Sequence, residues 1–139
     1  MRTLIGVAAS LVVLCACGTA EVVLPEPLTV VYINPSHGAT GVAPGEPTFL
    51  VVFNDAVVED VVDAEHFVVR EKDSGNEVSL GKVMRDEGNP QSVVMLPAAT
   101  LKNDTDYEIV LKDDIAGENK GELGVELVTR FKTREDPVD

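Results

Sequence analysis

Apolar residues along this chain occur in short runs, and turn-forming residues separate each run from the next. Proline, glycine, asparagine and aspartate fill the separators, as in PSHG, DSGN and DEGNP, and these residues favour turns. No long stretch repeats its apolar residues with helical spacing. The pattern therefore predicts β-strands at 28–33, 48–53, 66–71, 77–84, 92–96, 106–112 and 125–133.

The order of apolar and polar residues within the runs indicates how the predicted strands face. The run at 48–53 is apolar from Phe49 to Phe53, which predicts a central strand covered on both sides or one whose outer face meets a neighbour. Gly81 interrupts the fourth run and predicts a bulge or a twisted edge. The segment 57–66 has room for a helical turn between sheets. Alternation in the last two runs predicts these core positions: Tyr107, Ile109, Leu111, Val125, Leu127, Thr129 and Phe131.

The length and the cysteine positions limit the architecture. A chain of 139 residues is long enough for one domain, and two domains would need disulfides or metals for support. Both cysteines, Cys15 and Cys17, lie near the N-terminus, so no disulfide crosses the predicted strands. Seven short strands in about 110 residues are typical of an immunoglobulin-like (Ig-like) sandwich. We therefore predict an all-β protein, an Ig-like Greek-key β-sandwich of about seven strands.

The first residues are typical of an export signal. Arg2 precedes an apolar run from Leu4 to Leu14, and small residues follow. This run is shorter than the roughly 20 residues of a membrane-spanning helix. The sequence LCACG at 14–18 resembles a bacterial lipobox, which implies that Cys17 receives a diacylglycerol and becomes the first mature residue. An ordinary secretory signal cut nearby is the alternative.

These observations divide the chain into four parts. We predict a lipoprotein signal peptide at 1–16, a lipidated tether at 17–27, the Ig-like domain at 28–134 and a C-terminal tail at 135–139. Removal of residues 1–16 leaves 10 Lys and Arg against 24 Asp and Glu, a net charge of −14. Such a surface repels phosphate backbones and anionic headgroups, so we expect no nucleic-acid partner.

Five motifs in order resemble the bacterial Ig-like domains of the S-layer (SbsA) type, which occur in cell-surface and envelope proteins. The motifs stand as INPSHGATGVAP at 33–44, VVFNDAV at 51–57, LKNDTDYEIVL at 101–111, DDIAGENKGEL at 113–123 and RFKTRE at 130–135. The resemblance covers residues 28–134. It implies an Ig-like sandwich in an exported protein.

Three residues are expected to be structural corner residues. Tyr107 opens the penultimate predicted strand, where a tyrosine in many Greek-key sandwiches hydrogen-bonds to the backbone a few residues upstream. Pro35 restricts the backbone of the first corner, and Gly38 permits a positive φ angle there. We expect that corner to connect strands on opposing sheets.

The sequence offers no recognisable catalytic site. His37 and His66 are the only histidines, and the serines lack the glycine pattern of a nucleophile elbow. Periplasmic copper-resistance carriers are similar in outline, but they use an N-terminal histidine and further His or Met ligands. Here Met84 and Met95 fall in different predicted strands, and Cys17 would be acylated. We therefore expect neither an enzyme nor a copper carrier.

Calcium is the one ion that the sequence leaves open. Asp104 and Asp106 lie in one acidic turn and Asp113 and Asp114 in another, and calcium prefers carboxylate oxygens. Asn and Asp are also good turn residues on an acidic surface, which is the simpler interpretation. No cofactor is expected otherwise.

The sequence therefore predicts a lipid-anchored envelope protein that acts in structure, adhesion or assembly through contacts with another envelope or surface protein. Gly18 stands where an aspartate would resemble an inner-membrane retention mark, which favours the outer membrane. An extracytoplasmic binding protein for calcium or another small ligand is the alternative.

Overall fold

Two four-stranded sheets form the protein. The computed structural model describes residues 25–45 and 47–136. The first sheet has the order β1-β3-β6-β5 and the second has the order β2-β8-β7-β4. The prediction of an all-β Ig-like sandwich is confirmed. The strands are β1 (Val30–Asn34), β2 (Ala39–Val42), β3 (Phe49–Phe53), β4 (Phe67–Glu71), β5 (Leu80–Asp86), β6 (Asn89–Pro97), β7 (Asp106–Leu111) and β8 (Leu127–Thr133).

One strand and one connection differ from the predictions. β2 falls inside the corner motif at 33–44 and pairs in parallel with β8, whereas every other strand pair is antiparallel. We expected the strands at 28–33 and 48–53 to lie on opposing sheets, and this was wrong because β1 and β3 pair in the same sheet. The first corner instead connects β1 of the first sheet to β2, which lies in the second sheet.

The core lies between the sheets and is built from alternate residues of the strands. Phe131 contacts both Phe49 and Tyr107 with ring centroids 5.5 Å apart, and Phe53 meets Phe67 edge-on at 6.1 Å. Such contacts add to the free energy gained from burial of the rings. Ile115 and Leu123 extend the core into the β7–β8 connection. Val125 was wrongly predicted as core, since it precedes β8 and is 63% exposed.

A bulge in β1 directs two consecutive side chains outward. Val30 pairs with Phe53 and Tyr32 pairs with Val52, so Val31 is an extra residue in the strand. Val30 and Ile33 pack against the core, whereas Val31 and Tyr32 are 60% and 54% exposed.

The remaining predictions about elements agree with the structure. A 3₁₀-helix at Glu59–Val61 lies on the crossing from the first sheet to the second. Gly81 lies at a register shift in β5, which is an edge strand. β3 is central in its sheet, with Phe49, Val51 and Phe53 buried.

The connections collect at two ends of the sandwich. The segments 25–29, 54–66, 87–88 and 112–126 lie at what we call the Asp55 end. The segments 35–38, 72–79 and 98–105 lie at the opposite end, which we call the Tyr107 end.

Candidate functional site

The outer side of the first sheet is mainly apolar. Alternation places the buried residues of β3 and β6 toward the core, and so turns the intervening residues away from it. The outward side chains are half-buried in the two central strands and more exposed in the edge strands. We call these residues the apolar face: Tyr32, Leu50, Val52, Met84, Val94 and Leu96.

The strand register makes the apolar face continuous. Tyr32 pairs with Val52, and Val94 pairs with both Leu50 and Met84. Side chains of directly paired residues are close enough to contact each other. Ser92 is 4% exposed and opposes Val52 on this side, and its hydroxyl accepts a hydrogen bond from the Asn89 amide. The apolar surface thus crosses all four strands, with the polar residues Asn34 opposite Leu50 and Lys82 opposite Leu96 at its two edges.

The outer side of the second sheet has a different character because a row of ion pairs crosses it. Glu108 is held between Arg70 and Arg130, with nitrogen to oxygen distances of 2.9 and 3.4 Å. The Glu108 side chain is 10% exposed, and the hydrogen bond from Arg70 is the main cause that lowers the pKa of its carboxyl. Lys132 pairs with Asp104 further along. Each charged side chain of this row therefore has an ion-pair partner, and the outward Val68 and Val110 are buried, so this side offers less accessible apolar surface.

Asn54 and Asp55 of the motif VVFNDAV organise the Asp55 end. The side-chain oxygen of Asn54 accepts the backbone N–H of Thr29 at 3.0 Å. Asp55 Oδ2 accepts the backbone N–H groups of Asn119 and Lys120 at 2.7 and 3.0 Å. These bonds, with that from Asn119 first, lower the pKa of the Asp55 carboxyl. The polar pair therefore fixes the N-terminal segment and the 117–120 loop against the end of β3.

The N-terminal segment joins the same network. The Glu26 carbonyl accepts the N–H of Gly121 at 2.8 Å, and the N–H of Leu28 donates to Glu122. The Leu28 side chain is buried in the core. Residues 26 and 27, which we assigned to the tether, thus lie beside the loop at 117–122.

Tyr107 stands in the geometry of a tyrosine corner. Its hydroxyl accepts the backbone N–H of Lys102, five residues upstream, at 2.9 Å. The ring is 1% exposed and stacks on Phe131. Pro35 is buried in the first corner and Gly38 has a φ of 83°. Tyr107 thus makes the backbone hydrogen bond expected of a tyrosine corner, and Pro35 and Gly38 lie in the connection between β1 and β2.

Both histidines hydrogen-bond within the fold. His37 Nδ1 accepts the N–H of Arg130 at 3.3 Å. His66 lies between Asp63 at 2.7 Å and Asp114 at 3.3 Å, so it links the β3–β4 connection to the β7–β8 connection. The hydrogen bond to Asp63 is the main cause that raises the pKa of His66.

The calcium candidates fall at opposite ends of β7. Asp104 and Asp106 lie at its start and Asp113 and Asp114 just beyond its end, about 20 Å away for a strand of this length. Asp114 contacts His66 and Asp104 contacts Lys132. In the described ranges, no three His, Cys, Asp or Glu residues are placed to hold a metal ion.

A shallow depression of about 230 Å³ lies at the Tyr107 end. Glu71 and Lys102 line it and pair with each other at 2.9 Å, and Ser74 also donates to Glu71. Glu71 and Lys102 are thus paired with each other, and Glu77 is a further carboxylate in the lining.

Cys17 lies outside the described residues, as do most of the predicted tether and the end of the C-terminal tail. Within 25–45 and 47–136, no helix has the length and apolar character needed to cross a membrane.

A two-sheet β-sandwich with a tyrosine corner is typical of an Ig-like module. The bacterial Ig-like domain family matches residues 25–133, and this chain belongs to that family. No curated protein sequence matches the chain.

Solved structures share the fold at low sequence identity. Domains 1–6 of the surface layer protein SbsC match with a TM-score of 0.57 and 16% identity over 84% of this chain. The chain spans only 14% of that protein. CopC from Methylosinus trichosporium OB3b has a TM-score of 0.60 and 15% identity over 81% of this chain and 98% of CopC. PcoC, a methionine rich copper resistance protein from Escherichia coli, has a TM-score of 0.57 and 14% identity over 81% of this chain and all of PcoC.

The apolar face was not predicted from the sequence as a site. The one signal was the unbroken apolar run at 48–53, which is compatible with a strand covered on both sides and with one whose outer face meets a neighbour. In the structure Leu50 and Val52 remain partly accessible to solvent, so the described residues do not fully cover the outer side of β3.

Proposed function

We propose that this protein is a non-enzymatic, lipid-anchored envelope protein that binds another protein through its apolar face. The proposal rests on the apolar outer side of the first sheet. The outer side of the second sheet carries charged side chains in ion pairs instead. Exposed contiguous apolar surface on a small acidic protein is typical of an interaction site. Membership of the bacterial Ig-like family supports an extracytoplasmic location.

The position of the contact can be tested by photocrosslinking in the native host. A photoreactive amino acid replaces Met84 on the apolar face, and a matched variant carries it at Val128 on the outer side of β8. We expect a discrete crosslinked species from the Met84 position and none from Val128. Equal crosslinking from both positions would contradict a specific contact through the apolar face.

A paired substitution tests whether the face contributes affinity. Val94 and Val128 are both half-buried valines on outward sides of central strands, but in different sheets. Val94→Lys should remove the Met84 crosslink, because a charge would be buried in an apolar contact. Val128→Lys should leave the crosslink intact.

The lipid anchor is a second part of the proposal and is supported by the lipobox at 14–18. Several acyl chains on Cys17 would hold the protein at a membrane at about 0.8 kcal/mol per buried CH₂. We expect incorporation of an alkynyl fatty acid in the wild type and in Cys15→Ala, but none in Cys17→Ala. Gly18 favours the outer membrane, which fractionation of the two membranes would test.

A small-ligand carrier is the alternative, and one observation favours it: CopC and PcoC are matched along nearly their whole length. Met95 is fully buried in the core and Met84 lies on the apolar face, so the methionines do not converge. Calcium is the remaining candidate. Calorimetric titration of residues 21–139 with calcium tests it, and micromolar binding that Asp113→Ala and Asp114→Ala abolish would replace our proposal.

A further inference from the structure

The two sheets have four outer edges, and three of them are blunted. The free side of β4 is covered by its own connection, since Val78 donates to Val69 at 2.7 Å and Glu71 donates to Asn76 at 2.8 Å. β2 has four residues, a register shift and Gly41 at a φ of 68°. Neither strand presents a regular edge to another chain.

β5 is longer but carries the features that natural proteins use to prevent edge pairing. Gly81 lies at one register shift, and a second shift falls between Arg85 and Asp86. Lys82 adds a charge on the exposed part of the strand. Charges and bulges on an edge strand oppose the addition of another strand.

β1 is the one outer edge that contains neither a charged residue nor a glycine. Its sequence VVYIN contains no charged residue, no glycine and no proline, and within the described residues it pairs only with β3. Val31 and Tyr32 are among the most exposed large apolar residues. β1 has one bulge, at Val31, whereas β5 has two register shifts, and the register of β1 is regular from Tyr32 to Asn34. On its outer edge, β1 therefore retains a row of free backbone donors and acceptors. This row lies beside Tyr32, which is the residue of the apolar face on this strand.

We propose that the partner adds a strand along β1 and so extends the first sheet. This inference rests on the proposed function and specifies how the apolar face is engaged. Outward side chains of the added strand would lie next to Tyr32 and continue the apolar face by one strand. Main-chain hydrogen bonds then supply affinity, and alternate side chains supply specificity.

The charges indicate what kind of strand fits. Glu26 lies four residues before β1 with its side chain 79% exposed and pairs with Lys120 at 3.4 Å, and Glu122 is exposed in the adjacent loop. The chain as a whole has a net charge of −13, which disfavours a second copy as the partner. The structure thus favours an extended segment of a different protein with alternate apolar residues and basic flanks.

Synthetic peptides about as long as β1 test this mode of binding. The probe has valine or isoleucine at alternate positions, threonine between them and lysine at both ends. One control peptide has glutamate ends, and another has alternate backbone nitrogens methylated. We expect the lysine-ended peptide to bind and to slow amide hydrogen exchange in β1. The glutamate-ended peptide should bind about tenfold more weakly, and the methylated peptide should not bind.

Two exposed valines provide matched protein variants. Val31 is 60% exposed on β1, and Val125 is 63% exposed outside the strands. Val31→Lys should lower the affinity of the protein for the lysine-ended peptide about tenfold, whereas Val125→Lys should not change it. Strand addition along β1 would be overturned if the lysine-ended peptide did not bind or if it protected β5 instead of β1. Equal binding of the methylated peptide would overturn it as well. Dimerisation of the protein alone that Val31→Lys abolishes would also overturn it.

Failure of this inference is distinguishable from failure of the proposed function. A crosslink at Met84 without protection of β1 by the peptide means that the partner covers the apolar face without adding a strand, which overturns strand addition alone. Protection of β1 by the peptide together with equal crosslinking at Met84 and Val128 would support strand addition. It would contradict a specific partner contact through the apolar face.

Discussion

At the residue scale, polar side chains next to the apolar runs accept hydrogen bonds from backbone N–H groups that have no partner in a sheet. Asn54 and Asp55 follow β3 and accept N–H groups from Thr29, Asn119 and Lys120. Tyr107 does the same for Lys102 at the opposite end. The bonds to Lys102 and Lys120 are part-buried, and a backbone N–H left without a partner there would cost free energy. Tyr107 and Asp55 therefore stabilise connections that have no sheet to hold them.

Substitution of Tyr107 by phenylalanine tests this role directly. The ring and its stacking on Phe131 remain, but the Lys102 N–H loses its acceptor. We expect Tyr107→Phe to lower the free energy of unfolding by about 1–3 kcal/mol in urea denaturation. The matched control is Tyr32→Phe, because Tyr32 is 54% exposed and should be neutral. Equal effects of the two variants would contradict the corner role.

Asp55 predicts an acid dependence of stability. Its pKa is lowered from 3.8 in the folded state by hydrogen bonds from the 117–120 loop. A lowered folded pKa contributes stability that is present above the unfolded pKa and is lost as pH falls through the folded pKa. We expect Asp55→Asn to be less stable than the wild type near neutral pH, with the difference shrinking below pH 3.8.

Urea unfolding at a series of pH values measures this difference. The control is Asp73→Asn, at an exposed position in the turn after β4. A difference between wild type and Asp55→Asn that stays constant with pH would show that the carboxylate charge is not what holds the loop.

At the element scale, the β7–β8 connection depends on close approach of the backbone. An added Cβ at Gly117 would lie 2.7 Å from Asp55 Oδ2 and 3.0 Å from Leu28 Cδ1. At Gly121, in the same connection, the nearest atoms would be 3.6 Å away. The glycine at 117 is therefore a packing requirement between the connection, the N-terminal segment and the end of β3.

The two glycines give a matched pair of alanine variants. Gly117→Ala should destabilise the protein by about 1–3 kcal/mol through overpacking. Gly121→Ala should change the free energy of unfolding by less than about 0.5 kcal/mol, as is usual where no such clash arises. Thermal denaturation followed by circular dichroism compares them. Equal stabilities would mean that the connection shifts to accommodate the methyl group.

The elements also show what the sequence could predict. Runs rich in Val, Ile, Phe and Tyr predicted seven strands because each carries its own pattern. β2 was missed because ATGV is short, contains Gly41 and is held by pairing with β8, some 90 residues away along the chain. The apolar face was missed because an outward apolar residue and a doubly covered one look alike in a sequence. Only the pairing of strands shows which residues share an unpartnered side.

At the scale of the whole molecule, acidic side chains concentrate where the N-terminal segment leaves the domain. The connections of the Asp55 end carry Glu59, Asp60, Asp63, Glu65, Asp113, Asp114, Glu118 and Glu122. If Cys17 is lipidated, this end is the one nearest the membrane. Anionic headgroups would repel it, which holds the domain away from the surface and leaves the apolar face directed sideways, where another envelope protein can reach it.

The orientation can be measured with the lipidated protein in vesicles. Eight residues lie between Cys17 and Glu26, and the nine Cα-to-Cα steps that join them reach about 30 Å when extended. Because the only cysteines are Cys15 and Cys17, single labels can be introduced at Glu65→Cys at the Asp55 end and Ser74→Cys at the Tyr107 end. We expect a headgroup-bound quencher to reduce the fluorescence of the label at position 65 more than that at position 74. Equal quenching would mean that the domain has no fixed orientation, and stronger quenching at 74 would mean that it lies folded back on the membrane with its Tyr107 end down.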